Sequence, residues 1–388
     1  MGSNVKRIMV LHSVPVWLPQ TETWLYNQIR YLPAEVDNHI VCERAENLDQ
    51  FFLPNIRSLL DDTSRWRYYW EKGMRKVGIR RHPAFLVEQV RQRRPQVLHS
   101  HYGYVGWTNI GVAKQERLKH VVTFYGVDLS YWPTVDSRWH ERYRALFNEV
   151  DRVLCEGPHM AQCLIDLGCL DEKIRVHHLG VSVDGIGFKH RVRAPAEPLR
   201  VLIAASFREK KGIPYALEAL GRLQQEVALE ITLIGDGSQA EKEKILAVIE
   251  QYDLSPKIRM LGYQPHAVLF EEAYRHHIFL SPSVTASSGD TEGGAPVSII
   301  EMAATGMPVV STRHCDIPGV IQHGRTGLLA EERDLEGLVR NLRWLIHHPE
   351  EWKGMVEAAR KHVETEFNAS IQGERLGTIY RELNNGKR

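Results

Sequence analysis

Short runs rich in β-branched residues alternate with amphipathic stretches of helical period, and they do so in two series. In the first half the strand candidates are 7–11, 39–42, 97–101, 121–125, 152–155 and 174–178. Helical patterns lie between them at 22–32, 84–93, 139–150 and 159–167. Around 187–198 the pattern breaks into "GFKHRVRAPAEP", polar and without period. A second series follows, with strands at 201–205, 230–234, 258–261, 279–282 and 309–312 and helices between and after them. Strands that alternate with helices predict parallel sheets covered on both faces. The fold class expected is α/β, with two doubly wound Rossmann-like domains at 1–190 and 191–366. A final helix, 367–388, is expected to cross back to the first domain. Two such domains imply a cleft, and ligands in such sheets bind outside the carboxyl ends of the strands.

Composition removes several function classes. A chain of 388 residues with net charge +1 has no bulk electrostatic case for nucleic acid. No apolar run reaches the roughly 18 residues that a membrane span needs. Five cysteines with no C-x-x-C pair fit a reduced, cytoplasmic protein.

The chemistry concentrates at 290–301, "DTEGGAPVSIIE". Pro296 suits the first position of a helix, where its missing N–H costs nothing. The N–H groups of Val297 and Ser298 then point out of the helix end, and with the helix dipole they suit a phosphate. Gly293, Gly294 and Ala295 let a ligand approach the backbone. Helical side chains lean toward the N-terminus, so Glu301 should point back toward that anion site. Its carboxylate can accept two hydrogen bonds, which suits the vicinal hydroxyls of a ribose. A Gly-rich loop beside a Glu reaching solvent is the plain alternative.

An acid, a short Gly/Pro loop and a second Glu further on resemble the E-x7-E region of the family 4 retaining glycosyltransferases, which have the GT-B fold. "EKKGI" (209–213), "IGDGS" (234–238), "MLGY" (260–263), "GMPVVST" (306–312) and "HGRTGLL" (323–329) match that family in order. In the first half, "TETWLYNQI" (21–29), "VLHSHYG" (97–103) and "VVTFYGVD" (121–128) are similar to the subset that builds bacterial exopolysaccharides.

The resemblance implies a retaining, metal-independent transfer from a UDP- or GDP-linked sugar to a glycan or lipid-linked glycan, with no cofactor. It gives Lys211 the donor diphosphate, and Lys210 beside it is expected at the solvated surface. The family's Arg five positions before that Lys is here Ser206, and Arg208 is the nearby substitute. Glu301 takes the ribose role. Glu292 to Glu301 is one position longer than the family spacing, so a bulge in the Gly-Gly loop would leave Glu292 in the donor-sugar role, with Asp290 as rival. Gly235 and Gly237 sit in the donor-side loop, and backbone groups around Met260 are expected to read the base. Tyr125 stands where many members have His, and it can donate a hydrogen bond but not act as a base near neutral pH. His99 and His101 are expected to point to opposite faces, with His101 toward the cleft. Asp128 either orients an acceptor hydroxyl or caps the next helix. Thr21 and Glu22 are expected on the acceptor side. No D-x-D occurs, which argues against the metal-dependent GT-A class.

Residues 57–94 hold 11 Lys/Arg against 4 Asp/Glu, with "WRYYWEKGMRKVGIRRH" among them. Interleaved aromatics and cations suit a headgroup interface, so an inner-leaflet membrane contact is an expected partner, with a solvated helix as the alternative. Three rivals for function remain. "GDGSQA" fits a dinucleotide loop, but the next strand ends without the acid that would hold the ribose. A GT-B epimerase or phosphorylase and a non-catalytic sugar-nucleotide binder would use the same cradle.

Overall fold

A computed structural model describes residues 7–19, 23–194 and 196–386. The chain divides into two compact units, Met1–Gly180 with Ala369–Arg388, and Val181–Asn368. The division falls at Gly180/Val181 and not at the expected 190/191. The reason is local: the Val181 N–H bonds to the Phe367 carbonyl at 2.8 Å, and Val181 pairs with Asn368.

The first unit is a seven-stranded parallel sheet. Across it run Ile56–Ser58, Val36–Cys42, Ile8–Ser13, Val97–His101, Lys119–Thr123, Arg152–Cys155 and Ile174–Val176. In chain order this is 3-2-1-4-5-6-7, so the sheet reverses its winding between Ile8–Ser13 and Val97–His101. One face carries Leu11, Val41 and Leu98 against Phe85, Leu86 and Val112. The other carries Ile8, Val10, Val97 and Val121 against Leu376, Tyr380 and Leu383 of the C-terminal helix Ala369–Asn384.

That first unit also contains a helix the periodicity did not announce, Gly103–Gln115. Its sequence is "GYVGWTNIGVAKQ", and glycine normally costs helix about 1 kcal/mol. The glycines are there because the helix lies close on the sheet. A Cβ on Gly103 would stand 2.2 Å from Phe124, and one on Gly106 would stand 2.7 Å from Val122.

The second unit is a six-stranded parallel sheet in the order Ile258–Gly262, Leu229–Ile234, Leu199–Ala204, Ile278–Ser281, Val309–Thr312 and Leu328–Ala330. Numbered along this unit that is 3-2-1-4-5-6, with the reversal between Leu199–Ala204 and Ile278–Ser281. Helices Ile213–Leu223 and Leu335–His347 cover one face and Val297–Ala304 and Trp352–Glu366 the other.

Candidate active site

In the second unit, the loops that follow the first and fourth strands meet where the sheet reverses, the ligand end of such a fold. After Leu199–Ala204 the chain passes Ser206, half-buried, and makes a short turn at Glu209–Lys211. It then reaches Gly212, with φ +62°. A Cβ on Gly212 would lie 1.9 Å from the Pro282 carbonyl oxygen. Gly235, at φ +137°, touches the Ala205 carbonyl in the same way, at 1.8 Å. Gly237 presses on Phe207. These glycines let three loops share one small volume, each in backbone contact with the next.

Five charges fill that volume. Arg208 Nη2 lies 2.7 Å from Asp290 Oδ2, and Lys210 Nζ lies 3.1 Å from Asp290 Oδ1. Lys210 also donates to the Thr291 carbonyl at 2.6 Å. Lys211 Nζ is 2.8 Å from Glu292 Oε2, whose other oxygen accepts from Ser283 Oγ at 2.8 Å. The Lys210 side chain is 7 % exposed and that of Glu292 6 %, so Lys210 is a buried partner of Asp290 and not the solvated residue expected. Burial pushes the Glu292 carboxyl up, but Lys211 and Lys210 outweigh it and hold the group below its ordinary range. Burial lowers Lys210, and the nearby carboxylates restore only part of that.

The two acids before the helix thus have separate partners. Asp290 is committed to Arg208 and Lys210, and Glu292 to Lys211 and Ser283. Gly293 takes φ +77°, Gly294 is buried and Ala295 half-buried. Pro296 is the N-cap of Val297–Ala304 and not its first residue, with φ −55° and ψ 129°. The first N–H groups of that helix have no acceptor within it.

Glu301 is buried, and its Oε1 lies 2.7 Å from Nε2 of His266. His266 opens the helix His266–Arg275. Burial alone would lower the imidazole pKa, but the bond to Glu301 and its charge raise it above the ordinary value. Met260 lies on the edge strand Ile258–Gly262 and is 40 % exposed. His314 supports the acid loop from below: its Nε2 accepts from the Glu292 backbone N–H at 3.0 Å, and its Nδ1 donates to Glu332 Oε1 at 2.6 Å. The sequence reading passed over His266, His314, Glu332 and Ser283. Ser283 and His314 each follow a strand's carboxyl end by two residues, and that position was the available signal.

In the first unit, His99 and His101 share one face, contrary to the expectation. Residues two apart along a strand point the same way, and their rings stack at 4.3 Å. Both are fully buried together with His12. His101 therefore does not line an open surface, and Tyr125 is 4 % exposed. A chain of hydrogen bonds fixes the protons. The Gln372 carbonyl can only accept, so His177 Nε2 donates to it at 3.0 Å. His177 Nδ1 then accepts from Gln28 Nε2 at 3.4 Å, and Gln28 Oε1 accepts from the Tyr125 hydroxyl at 3.1 Å. The Tyr125 oxygen accepts from His101 Nδ1 at 2.7 Å, and His101 Nε2 accepts from His12 Nδ1 at 3.1 Å. His12 Nε2 is left buried with no partner.

His12, His99 and His101 place ring nitrogens within 4.8 Å of one another, but they do not make a good metal site. Tyr380 and Thr123 occupy both His99 nitrogens, at 2.6 and 2.7 Å, and the stacked His99 and His101 rings do not converge on a point. Asp128 is fully buried. Its Oδ2 accepts from the N–H groups of Gly103 (2.8 Å) and Tyr125 (3.2 Å), which are the hydrogen bonds of a cap. Thr21 and Glu22 lie outside the described residues.

Two doubly wound parallel domains, with a cation-and-acid cluster at the sheet reversal of the second, define the GT-B class of glycosyltransferases. The chain belongs to the glycosyltransferases described as Glycosyl transferases group 1, matched over residues 188–362, and Glycosyltransferase Family 4, matched over 21–184. It is 33 % identical over 304 residues to the amylovoran biosynthesis glycosyltransferase AmsK of Erwinia amylovora, covering 78 % of this chain and 74 % of AmsK. It is 34 % identical over 301 residues to WcaL of Escherichia coli K12, named for colanic acid biosynthesis, covering 75 % of this chain and 71 % of WcaL. Its fold is similar to that of Anabaena Alr3699/HepE solved with UDP-glucose, with TM-score 0.78 and 15 % identity, covering 97 % and 100 % of the two chains.

Proposed function

We propose that this glycosyltransferase transfers a sugar from a UDP- or GDP-linked donor to a glycan or lipid-linked glycan in bacterial exopolysaccharide synthesis. In this reading it retains anomeric configuration and needs no metal. One observation carries it: three cations, Arg208, Lys210 and Lys211, face two carboxylates, Asp290 and Glu292, beside the start of Val297–Ala304. The cluster holds one more positive charge than negative, and the helix start adds N–H groups, so an entering diphosphate finds donors already in place. Lys211 is the cation this reading gives to a leaving diphosphate, and such preorganised charge acts on the transition state. Glu292 then meets the donor sugar, and Glu301, steadied by His266, meets the ribose. Names of relatives support the polysaccharide context, and structural neighbours solved with UDP and UDP-glucose support the donor class.

The acceptor side belongs to the first unit. Within it, the helix Arg65–Lys76 exposes Trp66, Tyr69 and Trp70 among cations. That face suits the inner leaflet of a plasma membrane. Tyr125, buried against His101 and Gln28, takes no proton in this reading and acts by holding its strand end.

Donor hydrolysis followed by proton NMR tests the transfer. Incubated with an α-linked nucleotide sugar in EDTA, the enzyme should first release the α anomer. First release of the β anomer, or an absolute need for a divalent ion, would remove the retaining, metal-independent reading.

A further inference from the structure

The first unit has a partly open cavity of about 110 Å³ to which the roles above give no occupant. It sits at the carboxyl ends of Ile8–Ser13 and Val36–Cys42, where Ser13 and Cys42 reach its lining and Asn109 comes down from Gly103–Gln115. This is the ligand end of the sheet, beside its reversal. Two guanidiniums line the cavity, Arg75 and Arg81, against one carboxylate, Glu43. Arg75 Nη1 is bonded to Glu43, which neutralises one of them. Arg75 Nε stays buried without a partner. Arg81 has no carboxylate partner among the described residues. Its guanidinium lies over the ring of Trp107, 4.7 Å from the centroid, and Arg142 lies over the same ring at 4.8 Å.

A stacked guanidinium keeps its N–H edges free for a ligand in its plane. The cavity therefore offers a guanidinium without a carboxylate partner, at its exposed edge, and space for more than one water-sized group. We propose that it binds a phosphate group carried by the acceptor. Guanidinium forks match phosphate oxygens bidentately, and one such anion would neutralise Arg81. This assignment rests on the reading of the first unit as the acceptor side. The phosphate can come from a lipid-linked acceptor or from a soluble sugar phosphate.

The test is calorimetric titration with inorganic pyrophosphate of the Lys211→Ala protein, whose donor site is weakened, and of the Lys211→Ala/Arg81→Gln protein. Arg81 is exposed, so its substitution should leave the fold intact, which circular dichroism checks. The first protein should keep one pyrophosphate site, and the second should bind it at least tenfold more weakly. Equal affinity in the two, or no binding to the first, overturns the proposal. Competition by polyprenyl-phosphate vesicles or by glucose 1-phosphate identifies the source, and competition by neither also overturns it. Arg81→Gln alone should leave nucleotide-sugar titrations unchanged, so failure of the donor reading shows separately.

Discussion

Nε2 of His266 lies 2.7 Å from Oε1 of Glu301, and the two residues come from different helices, His266–Arg275 and Val297–Ala304. The pair pins the carboxylate before any ligand arrives. Its pKa sign gives a pH signature. The folded chain holds the His266 proton more tightly than the unfolded chain, whose imidazole titrates near 6.5. The pair's stabilisation is full below pH 6.5 and is lost as pH rises through the higher folded value. His266→Ala should therefore be less stable than wild type at pH 6, and the gap should narrow by pH 8. Urea unfolding at both pH values measures it, and a gap that widens with pH contradicts the pairing.

Lys210 and Lys211 are neighbours with different tasks. Lys210→Met removes the hydrogen bonds that Lys210 gives to the buried Asp290 carboxylate and to the Thr291 carbonyl. Breaking such a buried pair should cost about 3 kcal/mol, with Arg208 limiting the loss. Lys211→Ala should lower turnover on the order of 10²–10³-fold. Denaturant midpoints and initial rates on the two variants separate the tasks. A fully stable Lys210→Met protein would mean that the buried pair contributes nothing to folding.

The buried histidines predict acid sensitivity. Burial, with a smaller effect of His39, pushes His12 down to about 3, and burial pushes His120 and His177 down to about 4. Above pH 6.5 folded and unfolded chains are both neutral at these rings. Below it the unfolded chain takes up protons that the folded core refuses, so stability falls as pH drops toward 4. Each such ring contributes a slope of about 1.4 kcal/mol per pH unit in that window. Thermal midpoints between pH 7 and 4.5 should fall steeply, and less so in His12→Asn if that variant folds. A flat profile contradicts the neutral cluster.

The strands and most helices were legible because their apolar periods are long and their ends are marked by Gly, Pro or charge. The helix Gly103–Gln115 was not, because close packing on Phe124 and Val122 selects glycines that read locally as loop. At the site, Lys211, Glu292 and Glu301 could be placed from their positions after strands and within a helix. Their partners could not. Lys210 reads as half of a surface Lys-Lys pair until Asp290, 80 residues away, is brought against it. His266 is 35 residues from Glu301. Long-range pairing is a product of the strand order, which a sequence does not display. The error at His99 and His101 was of another kind, a misapplied strand period.

Trp66 and Trp70 stack at 6.2 Å on the exposed face of Arg65–Lys76, with Trp66 74 % exposed. In flotation with anionic-lipid vesicles, wild type should rise with the lipid, and the Trp66→Ser/Trp70→Ser protein should stay largely in the dense fraction. Among the described residues no helix is long and apolar enough to cross a membrane, so this contact would be interfacial. Equal flotation of the two proteins removes that face from membrane binding.

The central claim is that the charges around Lys211, Glu292 and Glu301 hold a nucleotide sugar. Calorimetric titration with a panel of UDP- and GDP-sugars in EDTA tests it most directly. Wild type should bind at least one of them, and both Glu301→Ala and Lys211→Ala should bind it at least tenfold more weakly, about 1.4 kcal/mol or more. Wild-type affinity in both variants, under the same conditions, would contradict the account.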